Sequence, residues 1–175
     1  MCIRDSGSSG AHSNGFSLIR RILEGTGASR IDPSGEGGPT PSIEDLLRPT
    51  RLYAPLVTTL RREGLSPCAM AHITGGGLPE NLPRCLPEGL HASIDPRSWE
   101  RPPLFRWLQQ EGGIPEADLW NTFNLGIGFC LVISPADLER TLSICQRQGH
   151  QAWELGTVLG GTPTDPDRPL TGLPY

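Results

Sequence analysis

At 175 residues the chain can build one core of ordinary size but not two good ones. An apolar fraction of 36 %, with 22 glycines and 18 prolines scattered without a repeat, excludes a collagen-like rod and a wholly disordered chain, and leaves a folded core with long loops. A formal charge of −4 excludes a nucleic-acid backbone as the main partner, and every basic side chain other than histidine is arginine, so a lysine needed for chemistry must come from elsewhere.

Residues 1–6 have no apolar core of the kind a signal peptide carries, and they do not read as a strand. Phe16 to Leu23 carries Phe16, Leu18, Ile19, Ile22 and Leu23 at helical spacing, with Ser13 or Asn14 able to cap it. Ile31 to Pro41 is a Pro- and Gly-rich loop; Ser42 then caps a short turn over Ile43 to Leu47. Tyr53 to Glu63 is a helix with Tyr53, Leu56, Val57 and Leu60 on one face and Gly64 at its exit.

Ala69 to Thr74 is a short strand running into the Gly75-Gly76-Gly77 turn. Pro79 to Leu86 follows as a short helix that Pro83 weakens. Leu90 to Ile94 is a strand, Pro103 to Gln110 a helix and Pro115 to Trp120 a brief helical piece. Ile127 to Ile133 is the clearest buried strand. Ser134-Pro135 opens a helix over Ala136 to Gln148 with Leu138, Leu142 and Cys145 as its stripe. Ala152 to Leu159 is the last strand; residues 161–175 are a polar, Pro-rich tail expected to fray. Strands alternating with helices predict an α/β (α+β) fold, a mixed sheet covered by helices.

No stretch approaches the roughly 20 apolar residues that span a bilayer, so no membrane role is expected. The five cysteines are odd in number, widely spaced and never paired as C-x-x-C, which fits buried free thiols in a reducing, cytoplasmic compartment. Asp32, Asp45 and Asp95 form no convincing metal cluster, and no metal site is expected in these residues. Trp99, Trp107, Trp120 and Trp153 read as core or interface aromatics.

Three runs concentrate backbone donors, small polar side chains and histidine. The first is Ser9-Gly10-Ala11-His12-Ser13-Asn14-Gly15, the second His72-Ile73-Thr74-Gly75-Gly76-Gly77 with Asn81 and Arg84 after it, the third Thr122-Phe123-Asn124-Leu125-Gly126-Ile127-Gly128. Glycine leaves backbone N–H groups open to a ligand, and three such runs point to a phosphorylated small molecule. Each has a blander reading. His12 can be a solvated loop residue beside a helix cap, and Gly7-Ser8-Ser9-Gly10 has the composition of an artificial linker. His72 can be a core histidine, the glycine turn a packing device, Asn124 a turn residue at a bulge, and Arg84 a surface arginine.

These runs, with Phe16-Ser17-Leu18, Leu78-Pro79-Glu80-Asn81-Leu82-Pro83-Arg84 and Arg48-Pro49-Thr50-x-x-Tyr53, closely resemble the C-terminal half of the aminoimidazole ribonucleotide synthetase family, also called phosphoribosylformylglycinamidine cyclo-ligases. The resemblance runs from about residue 8 to about residue 160. It divides the chain into an unrelated or artefactual start (1–6), the cyclo-ligase C-terminal domain (7–160) and the tail (161–175). It implies ATP-dependent cyclisation of formylglycinamidine ribonucleotide to aminoimidazole ribonucleotide in purine biosynthesis, with His12 as the acid–base or donor residue. It likewise implies that Ser9, Gly10, Ser13, Asn14, Gly15, His72, Thr74, Gly75, Gly76, Gly77, Asn81, Arg84, Thr122, Asn124, Gly126 and Gly128 hold substrate or phosphate.

The family also has an N-terminal domain of similar size, expected to carry the Mg²⁺ ligands and much of a homodimer contact; nothing here matches it. The fragment alone is therefore expected to be inactive. Looser kinship to thiamin-monophosphate kinases or formylglycinamidine synthetase domains is the alternative within the superfamily, and a non-catalytic nucleotide-binding module the alternative outside catalysis.

Overall fold

The structure, a computed structural model, describes residues 1–26, 42–161 and 170–174. The predicted loop at Ile31–Pro41, Asp32 and most of the tail lie outside the described residues. Six strands form one sheet: β1 (Cys2–Gly7), β2 (Ala69–His72), β3 (Leu90–Ile94), β4 (Ile127–Ile133), β5 (Ala152–Gly160) and β6 (Leu170–Thr171). Their order is β2-β4-β1-β5-β3-β6. All neighbours are antiparallel except β3 and β6, which makes the sheet mixed, as expected.

The helices are α1 (Phe16–Thr26), α2 (Ile43–Leu47), α3 (Ala54–Arg62), α4 (Gly77–Asn81), α5 (Pro103–Gly112), α6 (Glu116–Thr122) and α7 (Leu138–Arg147). They cover both faces of the sheet, because successive residues of a strand point to opposite sides. On β4, Leu131 and Ile133 pack with Leu56 and Leu60 of α3 and Ile144 and Cys145 of α7. Cys130 and Val132 join the larger cluster, with Ile19 and Ile22 of α1, Phe105 and Leu108 of α5, and Leu119 and Trp120 of α6. With both faces buried, β4 must be apolar at every position, which is why it reads so clearly in sequence.

Four expectations are corrected. Residues 1–6 were expected to form no strand, yet Cys2–Gly7 is β1, hydrogen-bonded between β4 and β5 with Ile3 fully buried. Pairing on both edges satisfies its backbone despite the polar Arg4 and Ser6, and the buried Arg4 reaches Glu154 at 3.2 Å. The tail was expected to fray; instead Leu170 is buried and Leu170–Thr171 pairs with Ala92 and Ser93. The helix expected over Pro79–Leu86 breaks into α4 and a 3₁₀ turn at Pro83–Cys85, because proline at 83 cannot donate to the preceding turn. The buried stripe of α7 is Thr141, Ile144 and Cys145, one position away from the expected Leu142.

The five cysteines are free, as expected, but only Cys130 and Cys145 are buried; Cys68 is exposed. Among the tryptophans, Trp107 and Trp120 are buried core residues, and Trp99 meets Trp120 edge-on at 5.9 Å. No helix among the described residues is long and apolar enough to cross a membrane.

Candidate functional site

The loop between β1 and α1 winds tightly. His12 sits at φ 55°, in the left-handed region that few non-glycine residues occupy, and its side chain folds back so that Nε2 accepts from the Ser9 N–H at 3.2 Å. Ser9 Oγ donates to the Pro49 carbonyl at 2.7 Å, and Ser13 Oγ lies 3.3 Å from Thr50 Oγ1. The Arg48–Tyr53 segment is thereby tied down over the loop.

Asn124 anchors the same loop from β4's side. Its Nδ2 donates to the Gly10 carbonyl at 2.8 Å, and its Oδ1 accepts from Ser8 Oγ at 3.0 Å and from the Gly126 N–H at 2.9 Å. Asn124 is fully buried, and both ends of its amide are occupied in holding chain turns.

Asn81 does the equivalent work on the glycine turn. It accepts from Thr74 Oγ1 at 3.0 Å and donates to the carbonyls of Gly75 and Gly77 at 3.0 and 2.7 Å. A trans peptide sets its C=O and N–H in opposite directions, so drawing the Thr74 and Gly75 carbonyls toward Asn81 turns the N–H groups of Gly75 and Gly76 away from it. Neither N–H has a hydrogen-bond partner among the described residues. The turn needs glycine for two reasons: Gly76 and Gly77 take φ 86° and 59°, and a Cβ on Gly77 would overlap the Trp120 carbonyl.

The three sequence runs converge. The His12 and His72 ring centroids are 6.1 Å apart, and the Asn14 side chain lies against Gly75. The Ile73 N–H donates to the Gly128 carbonyl at 3.0 Å, and the third run also backs the turn through Phe123, beside Trp120 of α6. Thr122 ends α6 half-buried, and Gly15 is held against Phe123. Arg84 stands apart: it is exposed and paired with Glu80 at 2.7 Å, one helical turn away.

Two further residues complete the cluster. Tyr53, at the head of α3, is buried, donates to the Gly7 carbonyl at 3.2 Å and stacks on Phe129 at 5.0 Å. Its ring lies 5.6 Å from His72 and 6.3 Å from His12. Beside it opens a cavity of about 480 Å³, lined by Thr50, Arg51, Leu52, Tyr53, His72 and Phe129 among others.

Burial first, then the charges of His72 and Arg51, hold the His12 pKa down at about 4. His12 is therefore neutral at neutral pH. Since Nε2 accepts a hydrogen bond, the ring proton is assigned to Nδ1. Nδ1 is buried and has no partner among the described residues, although an unsatisfied buried donor costs about 1–3 kcal/mol.

Residues 5–165 match the family described as AIR synthase related protein, C-terminal domain. The chain belongs to that family.

Its mixed α/β fold is the family's architecture. Similar relatives include the phosphoribosylformylglycinamidine cyclo-ligase of Parasynechococcus marenigrum (strain WH8102), 57 % identical over 169 residues, which cover 95 % of this chain and 48 % of the relative. The enzyme of the same description from Synechococcus sp. (strain CC9605) is 57 % identical over 156 residues, covering 89 % and 45 %. That of Prochlorococcus marinus (strain NATL1A) is 45 % identical over 169 residues, covering 95 % and 48 %. The chain spans about half the length of the curated relatives it matches.

Sequence reasoning about this AIR synthase-related domain did not single out Arg51 or Phe129 beside the three runs, and read Tyr53 as the end of the Arg48–Tyr53 segment and a residue on the face of the following helix. The available signal was the run Arg48-Pro49-Thr50-Arg51-Leu52-Tyr53, whose density of donors matches the glycine runs. No three His, Cys, Asp or Glu side chains gather as a metal centre among the described residues, so the residues present do not fit a Mg²⁺ site.

Proposed function

We propose that this chain is the C-terminal half of an ATP-dependent cyclo-ligase that converts formylglycinamidine ribonucleotide to aminoimidazole ribonucleotide, with ATP cleaved to ADP and phosphate. The observation that carries the reading is 57 % identity to a named cyclo-ligase across 95 % of the chain. In the reaction the amide oxygen takes the phosphoryl group of ATP, a nitrogen of the substrate attacks the activated carbon, and phosphate leaves. Such chemistry depends on donors placed where negative charge collects.

His12 suits that task as a neutral donor and not as a strong acid. A ring with its pKa near 4 carries no positive charge at neutral pH, and its Nδ1–H is spare. It would donate to the amide oxygen while that oxygen carries developing charge, as neutral imidazoles do in other enzymes. The free N–H groups of Gly75 and Gly76 would donate to phosphoryl oxygens beside it. Asn124 and Asn81 would hold the two turns in shape, while Ser13, Asn14 and His72 would border the ligand. Mg²⁺, and any lysine the reaction needs, would come from the part of the relatives that this chain does not span, as would part of a homodimer contact.

The test is reconstitution. The chain would be co-expressed with the N-terminal half of the Parasynechococcus marenigrum relative and supplied with formylglycinamidine ribonucleotide, ATP and Mg²⁺. Steady-state phosphate release is expected from the pair and not from the 175-residue chain alone. A well-folded pair that binds substrate without releasing phosphate would replace this reading with that of a non-catalytic nucleotide-binding module.

A further inference from the structure

We infer that Arg51 and the cavity it lines form a recognition subsite for a phosphate monoester, separate from the glycine turn. Among the described arginines, Arg51 is the only half-buried one that makes no hydrogen bond or ion pair. Arg4, Arg48, Arg84, Arg97, Arg101, Arg106 and Arg147 all pair with carboxylates, and Arg140 donates to the Glu63 carbonyl. Arg20, Arg21, Arg61 and Arg62 are exposed, where water satisfies the guanidinium. A guanidinium that has lost part of its hydration and gained no acid is poised for an anion brought from outside.

The walls fit that occupant. None of the residues lining the cavity is acidic. Its donors divide by their existing bonds: Thr58 Oγ1 donates to the Ala54 carbonyl and Tyr53 Oη to Gly7, so both are engaged. The Arg51 fork and the exposed His72 ring remain available, while the Thr50 hydroxyl beside them already meets Ser13 Oγ at 3.3 Å. The stacked Tyr53–Phe129 pair, with Leu52 and Val57, offers an apolar wall for the carbon skeleton of the ester. The volume of about 480 Å³ is of the size that holds a small-molecule ligand. The Arg51 charge also reaches across the site, since it helps to lower the pKa of both His12 and His150. A phosphate bound there would therefore lie beside the reacting cluster.

The inference rests on the cyclo-ligase reading only for the two esters in question, the 5′-phosphate of the ribonucleotide and a phosphate of ATP. Calorimetric titration of the 175-residue chain with ribose 5-phosphate, AMP and inorganic phosphate, at low and high salt, distinguishes them. Equal binding of ribose 5-phosphate and AMP assigns the subsite to the ribonucleotide's phosphate; binding of AMP alone assigns it to the nucleotide. Arg51→Gln is expected to weaken the bound ester at least tenfold and flatten the salt dependence, with no change in thermal midpoint because Arg51 holds nothing in the fold. Arg51→Lys should recover part of the affinity, and Arg62→Gln should change nothing. Wild-type affinity in Arg51→Gln, or no binding of any probe to the wild-type chain at millimolar concentration, overturns the inference. If Arg51→Gln loses ester binding but the reconstituted pair never releases phosphate, the subsite stands and the proposed reaction fails. If the pair turns over and Arg51→Gln leaves KM unchanged, the reverse holds.

Discussion

The buried neutral His12 makes acid sensitivity the sharpest test of the site's geometry. In the unfolded chain this ring titrates near 6.5, and in the fold near 4. Between those values the unfolded state holds a proton that the fold excludes, so acid pulls the equilibrium toward unfolding. The stability conferred by the neutral ring is complete above the unfolded pKa and is lost as pH falls through the folded one. At about 1.4 kcal/mol for each tenfold change, the full loss is at most about 3.5 kcal/mol, and about 2 kcal/mol of it is reached by about pH 5. His150, also lowered by burial and by Arg51, works in the same direction.

Comparing urea denaturation at about pH 7.5 and about pH 5 isolates the His12 share through His12→Asn. Asparagine tolerates the left-handed backbone at φ 55° and keeps an acceptor for the Ser9 N–H, but it does not titrate. Wild type should lose about 2 kcal/mol more than the variant on acidification, a midpoint difference of about 1 M urea at the usual slopes. Equal losses in both proteins would mean that His12 is hydrated or charged in the fold. The neutral-donor role would then have no basis.

In the reconstituted pair, His12→Asn should lower kcat by about 10²–10³, the cost of one oxyanion donor, with a smaller change in KM, read from steady-state phosphate release. Asn124→Ala strips partners from the Gly10 carbonyl, Ser8 Oγ and the Gly126 N–H at once, and should destabilise the chain by about 2–4 kcal/mol in urea. Gly128→Ala places a methyl onto Tyr53 Oη and 3.0 Å from the Ser6 carbonyl, and should cost about 1–3 kcal/mol; Gly160→Ala, with nothing within 4 Å, should leave the thermal midpoint almost unchanged. Gly76→Val forces a β-branched residue to φ 86° and against Glu80, and should raise KM in the reconstituted pair by distorting the glycine turn more than it lowers the melting temperature of the chain.

The parts of the fold legible in sequence are those where burial dictates residue type. Ile127–Ile133 has to be apolar on both faces, and Leu90–Ile94 and Ile43–Leu47 carry their own turn and cap signals; the structure has the same bounds for all three. The Ser42 cap is reciprocal, because Asp45 also accepts from the Ser42 N–H at 2.9 Å. What escaped were elements held by pairing and not by pattern. β1 carries Arg4 and Ser6 in a central position, where periodicity offers no guide, and β6 is two residues long. The offset of the α7 stripe has a similar origin. Thr141 is buried where a leucine was expected, and Leu142 turns instead to a cavity lined by His150 and Trp153.

Within the site, the density of glycine, histidine and amide residues marked segments that the structure brings together, but not what each residue bonds to. Composition cannot say which donors are already spent, and hydrogen-bond accounting can. Asn124 and Asn81 have the chemistry of ligand-binding residues, yet their amides are consumed in shaping two turns; replacing either would act first on the scaffold. Arg84 is spent on Glu80. The groups left over are the His12 Nδ1–H, the N–H groups of Gly75 and Gly76, and the Arg51 guanidinium. The His12 ring lies 6.1 Å from His72, and Arg51 and His72 line one cavity. Within the site, the surrounding amides and carbonyls are satisfied while these donors stay unpaired around one histidine, where a phosphorylated ligand would supply the acceptors.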